Sequence, residues 1–485
     1  MSGLESLSRE EVLALLGMSD RTVELLRAQN GELQAALAQA LARIAELERR
    51  TGRNSGNSSQ PPSADGFVKP DKPKAPPTGR KRGRQSGAAG GGLALVERPN
   101  VTVHQFPTAC GGCGTVFVGL GAADSVGFTA RQRTDIPPVS VVVTETRWHR
   151  VRCGCGCTTA AAVPSAVPDN PWHGPQLQSL AVYLVVFQHV PVERAATLIA
   201  DLTGAAPSTG WIASLLPKAA SLIAGSLHLI KALLTRGHVL HADETTTNIA
   251  GKRRYLHAAC TEKLTFPGLA PRSRAGADSL GVLPHFRGTM VHDAYFQLYD
   301  GYPNASHQLC CAHVIRELTA QHELFAAQVW AGQIRWALSQ LIKQARRARE
   351  AGLPKIPPQW IGLYLRIYHQ GVAVGLRLHP RTHPNAAQSD ATNLLERLRD
   401  HAPRYLRFTD DLHVEPTNNL AERDQRPVKT QIKISGCHQS EAGAATWLAL
   451  RSYVSSAVKH GTSAFEALRL AMTGSPWMPP IALER

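Results

Sequence analysis

The apolar positions of this chain change period several times, and each change marks a new element. In the first stretch they recur every three or four residues. Val23, Asn30, Leu37 and Ile44 fall at one heptad position and Leu26, Leu33, Ala40 and Leu47 at another. Heptads in register predict that residues 1–50 form a coiled-coil dimerisation helix, with the polar Asn30 fixing how two copies align. Gly31 and Ala40 thin the seam, and an amphipathic helix packed on its own chain is the competing reading. Residues 51–92 then carry too few apolar positions to fold and read as a disordered basic linker. Within it, "GRKRGRQ" holds Arg80, Arg82 and Arg84, an arm suited to tracking phosphates or entering a narrow minor groove.

From residue 93 to 165 the pattern alternates in the manner of strands, as in "SVVVTETRWHRVRC". Two cysteine clusters flank it. Cys110 and Cys113 lie in "CGGCG", and Cys153, Cys155 and Cys157 lie in "RCGCGC". Paired thiols with glycine beside each predict the two knuckles of a structural zinc ribbon, because glycine lets the backbone turn its amides toward the thiolates. Cys153 and Cys155 are the preferred second pair, with Cys157 as substitute. Residues 166–236 return to helical spacing in "GPQLQSLAVYLVVFQHV", "PVERAATLIADLTG" and "STGWIASLLPKAASLIAGSL". Helix, short turn and Ser-Thr-capped helix fit a DNA-reading helix-turn-helix or any three-helix packing unit.

The period changes again at residue 237. "HVLHADETTTNIAG" and "RRYLHAACTEKLTF" predict two strands joined at a Gly-Lys turn, and "GTMVHDAYFQLYD" predicts a third that ends on Asp293. The first strand is expected to finish at Asp243, so two strands would present aspartates at their ends. Functional groups gather there in mixed sheets. Two carboxylates side by side repel unless a cation lies between them, which makes such a pair a cradle for Mg2+ or Mn2+. On a strand, Asp243 and Glu244 point to opposite faces. Asp243 is therefore the choice, with Glu244 flanking it. A third acid is expected from "VEPTNNLAERDQRPVKTQIKISG". Glu422 is preferred over Glu415 and Asp424 because Arg423, Arg426, Lys429 and Lys433 cluster around it. Its spacing from Asn419 also fits a helix capping box, a purely structural reading. Trp330 and Trp336, at helical spacing, suit core packing better than stacking on a base.

Composition narrows the partners. The chain has 485 residues, which implies two to four domains. Its 53 Lys and Arg exceed 37 Asp and Glu, for a net charge of +16. That balance favours nucleic acid first and an anionic membrane surface second. No basic, apolar leader is visible and "LQSLAVYLVVF" is too short to span a bilayer, so a cytoplasmic chain with no membrane partner is expected. Nine cysteines in such a chain read as metal ligands or buried thiols rather than disulfides.

"HADET", "GVLPHFRGTMVHDAY", "CCAHVIREL" and "NNLAERDQRPVKTQIKISG" resemble, in order and spacing, the transposases of the insertion-sequence-sixty-six family. The resemblance runs over most of residues 1–475. It implies an α/β multi-domain chain with a ribonuclease-H-like catalytic core over 237–313 and 411–475 and a helical insertion over 314–410. It also implies that Asp243, Asp293 and Glu422 are the catalytic triad. Two Mg2+ ions would bridge them, one activating water and later a DNA 3′-hydroxyl, the other steadying the leaving oxygen. The second aspartate and the glutamate are separated by 128 residues, room for the insertion. A Cys-x-x-His pattern after the second aspartate brings His313 and Arg316 toward DNA, although a helix packing Cys310 and His313 inward competes. The implied partners are double-stranded DNA, a second copy of the chain, and small accessory proteins of the same element. The implied place is the bacterial nucleoid. A catalytically inactive, transposase-derived repressor is the alternative, and the second cysteine cluster departs from the family's plain Cys-x-x-Cys.

Overall fold

The computed structural model describes residues 93–165, 167–381 and 387–481, together with Ser8–Glu10 and scattered positions from 24 to 40. The described positions from 24 to 40 are helical, and Leu33 and Leu37 are exposed. Val23, Leu26, Ile44 and Leu47 of the heptad pattern lie outside the described residues, as do Arg80, Arg82 and Arg84. The chain divides into two compact units. Among the described stretches, one comprises residues 167–197, 207–381 and 387–481, and the other residues 93–163 and 198–206.

The smaller unit carries one hairpin, β1 (Arg150–Arg152) paired antiparallel with β2 (Thr158–Ala160). Most of the alternating residues between the cysteine clusters stay outside regular strands. Val141, Val142 and Val143 are exposed rather than half-buried.

The larger unit is built on a five-stranded sheet of order β5-β4-β3-β6-β7. β3 (Val239–Ile249), β4 (Lys252–Cys260) and β5 (Thr265–Leu269) form an antiparallel meander. β6 (Thr289–His292) and β7 (Ser306–Leu309) run parallel to β3. The expected hairpin forms, but its turn is Ala250-Gly251, with φ of 47° and 74°, not Gly-Lys. Two left-handed residues match the twist of the strands they join. β3 also does not stop at Asp243. It runs six residues further because β4 pairs with it all the way to Ile249, while β6 leaves it after His241. Gly288 brings the chain into β6, where a Cβ would lie 2.3 Å from the His238 carbonyl oxygen.

Side chains alternate between two cores. Leu240 and Met290 point to one side, among Ile230, Leu234 and Phe286. Val239, Val291 and Leu309 point to the other, beneath α7 (Cys311–Leu324), α8 (Trp330–Glu350), α9 (Pro358–Leu378) and α10 (Asp390–Asp400). This helical segment is tied to β7 by buried Gln308, whose Nε2 donates to the Tyr405 carbonyl (3.1 Å) and whose Oε1 accepts from Phe408 N–H (2.9 Å). Trp330 is fully buried there, whereas Trp336 is half exposed against Tyr364. The helices before the sheet are α1 (Pro175–Val182), α2 (Val192–Thr203), α3 (Thr209–Leu222) and α4 (Ala224–Arg236). α5 (Arg274–Ser279) and α6 (Phe296–Tyr299) are short connectors, and α11 (Ala402–Tyr405) closes the helical segment. α12 (Asn419–Ser435) crosses β3 and β4, and α13 (Glu441–Lys459) packs on β5, α3, α4 and α14 (Ala464–Met472).

Among the described residues no single helix is long and apolar enough to cross a membrane. The bent pair α3–α4 passes on length and composition alone. Its apolar residues Ile212, Leu215, Ile230 and Leu234 are buried inside the protein.

Candidate functional site

The register of β3 against β6 is fifty residues, with Val239 opposite Thr289 and His241 opposite Val291. Asp243 lies on β3 two residues past the last of these pairs, and Asp293 lies one residue past the end of β6. Both carboxylates thus follow directly on the paired stretch that holds Val239 and Val291, and both line the same cleft. α12 supplies Glu422 to the same place, and α7 supplies His313 and Arg316. All five line one cleft of 1460 Å³ with His241, Glu244, Arg253, Tyr255, Arg272 and the cations Arg423, Arg426, Lys429 and Lys433.

Asn418 sets the start of α12. Its side chain does not cap the helix. Instead Nδ2 donates to the Ala242 carbonyl at 2.8 Å, Oδ1 lies 3.2 Å from His241 Nδ1, and the backbone N–H points at Cys310 Sγ, 3.2 Å away. The capping-box reading of Glu422 is not realised. Its carboxylate instead faces His313, with Nε2 to Oε1 at 3.8 Å. The rival acids are held in ion pairs, although Glu415 also lines the cleft. Glu415 is paired with Arg349. Asp424 is almost fully buried on Lys459 (2.5 Å) and accepts from Thr265 Oγ1 (2.6 Å).

Burial first, then the neighbouring Asp293 carboxylate, pushes Asp243 up to about 7. Burial likewise raises Asp293, against the pull of His313 and the Tyr295 N–H. Asp293 Oδ1 is buried without a hydrogen-bond partner among the described residues. His313 moves the opposite way in charge. The adjacent Cys310 sulfur, then Asp293 and Glu422, hold it up to about 9 despite burial. Anionic oxygens left unpaired and crowded together are the donor set a hard divalent cation takes. Among the described residues, no three His, Cys, Asp or Glu side chains are yet grouped tightly enough to enclose an ion.

The cysteine clusters sit in the smaller unit. At the first, Cys110 N–H donates to Thr115 O and Gly114 N–H to Cys110 O, both at 2.9 Å, with Gly114 at φ 77°. At the second, Cys153 N–H donates to Cys157 O at 2.8 Å across the β1–β2 turn, with Gly156 at φ 89°. Contact with Thr115 brings the Cys113 thiol down to about 7. The Cys157 backbone, then the Cys153 and Cys157 side chains, lower Cys155. Thiols eased toward thiolate suit zinc.

Arg253, Tyr255 and Arg272 were not singled out in the sequence. Asn418, next to Asn419, carries in the sequence only the signal of a helix-start residue. A lone arginine or tyrosine carries no spacing signal until the fold brings it to the acids.

Comparison with known families now places the chain among the transposases. Residues 171–446 match the model described as "Transposase IS66 family", and residues 107–156 match the zinc-finger binding domain of transposase IS66. The chain belongs to the IS66 transposase family. Residues 18–93 match a family of unknown function. No curated protein matches the chain.

Proposed function

We propose that this transposase binds the ends of its insertion element and cuts and joins DNA strands by metal-dependent phosphoryl transfer. Asp243, Asp293 and Glu422 are its ion-holding carboxylates. The observation that carries this reading is that Asp243 on β3 and Asp293, one residue past the end of β6, line one cleft, with one aspartate oxygen buried and unpartnered. A sheet of three antiparallel strands followed by two parallel ones supports a ribonuclease-H-like core. The helical stretch over residues 314–410 would be its insertion.

In-line phosphoryl transfer asks for positioning and charge neutralisation rather than a protein nucleophile. Mg2+ or Mn2+, when bound, supplies Lewis acidity and lowers the pKa of water. The chain's own part is to gather the carboxylates and to draw the DNA strand in. Asn418 fixes α12 against β3, so Glu422 is presented beside the two aspartates. His313 and Arg316 from α7, and Arg423, Arg426, Lys429 and Lys433 along α12, form a positive surface that receives phosphates beside the acids. The basic arm of Arg80, Arg82 and Arg84 adds affinity independent of sequence.

Zinc in the smaller unit would be held by Cys110, Cys113, Cys153 and Cys155. The zinc-finger match over residues 107–156 includes these four cysteines. Residues 1–50 would pair two copies of the chain, and accessory proteins of the element would join them on DNA in the bacterial cytoplasm. The test is a nicking assay. Duplexes carrying the terminal repeats that flank the gene are incubated with the protein in Mg2+ or EDTA. Strand breaks confined to Mg2+ are expected, and breaks that persist in EDTA would overturn the metal-dependent reading.

A further inference from the structure

Arg272 stands in the loop between β5 and α5 and lines the cleft that holds the three acids. Its guanidinium is fixed on several sides. Nε donates to Glu244 Oε1 at 2.7 Å, and Nη2 reaches the same oxygen at 2.5 Å. The Tyr295 ring lies 4.3 Å from Cζ and the Tyr255 ring 5.6 Å. Glu244 follows Asp243 on β3, and Tyr295 comes two residues after Asp293. The arginine is thus tied to both acid-bearing segments at once.

A stability role alone accounts poorly for this arrangement. An ion pair to a partly exposed arginine contributes little, and it costs side-chain entropy. The Arg272 side chain remains 41% exposed, while Glu244 is only 5% exposed and leaves Oε2 without a partner. The buried acid therefore acts as a fixed anchor. Nη1 has no hydrogen-bond partner among the described residues, so one edge of a rigid, planar donor is left open. That edge fits a phosphate oxygen, which guanidinium binds with defined geometry.

We propose that Arg272 is a subsite for a DNA backbone phosphate next to the reacting one, aimed by Glu244 and by the faces of Tyr255 and Tyr295. The subsite rests on reading the cleft as the DNA-cutting site. It adds to the cations of α12 a contact that comes from the strand side of the cleft. Glu244 is a positioning residue in this account, because it acts through Arg272.

The experiment pairs Arg272→Gln and Arg272→Lys with end-repeat duplexes that carry one neutral methylphosphonate linkage, moved stepwise past the cut. For wild type, one linkage near the cut should slow cleavage ~10-fold, the size of one charge-assisted contact. Arg272→Gln should be slowed by about the same factor on unmodified DNA and show no further loss at that linkage. Arg272→Lys should recover part of the rate, with both variants assayed well below their melting temperatures, because Arg272→Gln leaves the buried Glu244 unpaired and lowers stability. Glu244→Gln keeps an acceptor for Nε and should retain the coupling at that linkage, whereas Glu244→Leu should weaken it without unfolding. Losses that simply add at every linkage, or an Arg272→Gln enzyme as fast as wild type, overturn the subsite and leave the carboxylate reading intact. A wild type that leaves DNA uncut in Mg2+ overturns the cleavage reading instead. The same duplexes then report Arg272 by fluorescence anisotropy, where equal affinity of wild type and Arg272→Gln at low salt overturns the subsite too.

Discussion

Asn418 Nδ2 donates to the carbonyl oxygen of Ala242 at 2.8 Å, joining the first residue of the α12 cap to the residue that precedes Asp243. The amide is buried, with 1% exposure, and serves strand and helix together. Asn418→Ala should strand the Ala242 carbonyl and the His241 ring, at a cost of about 1–3 kcal/mol. Urea unfolding checks the stability. Because the bond sets where Glu422 stands, Mg2+-dependent cleavage should fall more than stability alone explains, with KM for DNA little changed.

Asp243 couples the metal reading to pH. Its pKa rises from 3.8 unfolded to about 7 folded, so its contribution to stability is complete below the lower value and is lost as pH rises through the upper one. His313, raised to about 9 from 6.5, loses its contribution on the same rising side, later. Metal-free protein should therefore melt at a lower temperature at about pH 8 than at about pH 5, and Asp243→Asn should flatten much of that slope. Mg2+ should raise the melting temperature more at the higher pH, since it binds carboxylates that are already ionised. Thermal melts in EDTA and in Mg2+ at both pH values check the sign.

Much of the sheet was legible before the fold. The alternation of "HVLHADETTTNIAG" and the apolar run of "GTMVHD" are periodic signals, and β3 and β6 form where they lie. The fifty-residue interval between the aspartates becomes meaningful only through strand pairing, because nothing local makes Val239 the neighbour of Thr289. The end of β3 was misplaced for a physical reason. Acids and threonines look like a strand terminus, yet β4 continues to supply backbone hydrogen bonds there, and the cleft leaves room for the carboxylates. Trp330 and Trp336 lie on one helix but differ in burial, since the core-facing stripe of α8 runs through Trp330, Ile334, Leu338, Leu341 and Ala345 and Trp336 lies off it. Arg272 was invisible, because its role depends on two rings and an acid brought together from three segments.

The cysteine clusters predict about one zinc per chain by elemental analysis. Cys110→Ser with Cys113→Ser should release it and unfold the smaller unit, because structural zinc supplies folding energy. Cys157→Ser should retain the metal if Cys153 and Cys155 complete the set. Unchanged zinc in the double variant would remove the ribbon from the account.

The heptads predict that deleting residues 1–50 lowers the solution mass toward that of a monomer in the absence of DNA. Light scattering measures this directly. A truncated chain that keeps its oligomeric state places the contact between copies elsewhere.

The central claim is that three carboxylates serve the chemistry and not the fold. Asp243→Asn, Asp293→Asn and Glu422→Gln each remove one charge and nearly preserve shape. Cleavage of end-repeat duplexes in Mg2+, measured beside DNA binding by anisotropy, tests all three together. Each variant should lose cleavage by more than ~100-fold, the scale of removing an essential charge-stabilising group. Binding should hold or tighten, because phosphate then meets less repulsion. Glu415→Gln, whose native carboxylate is engaged by Arg349, should keep cutting. Glu422→Gln is the decisive arm. Near wild-type cleavage by that variant would contradict the account and return Glu422 to the role of a helix-start residue.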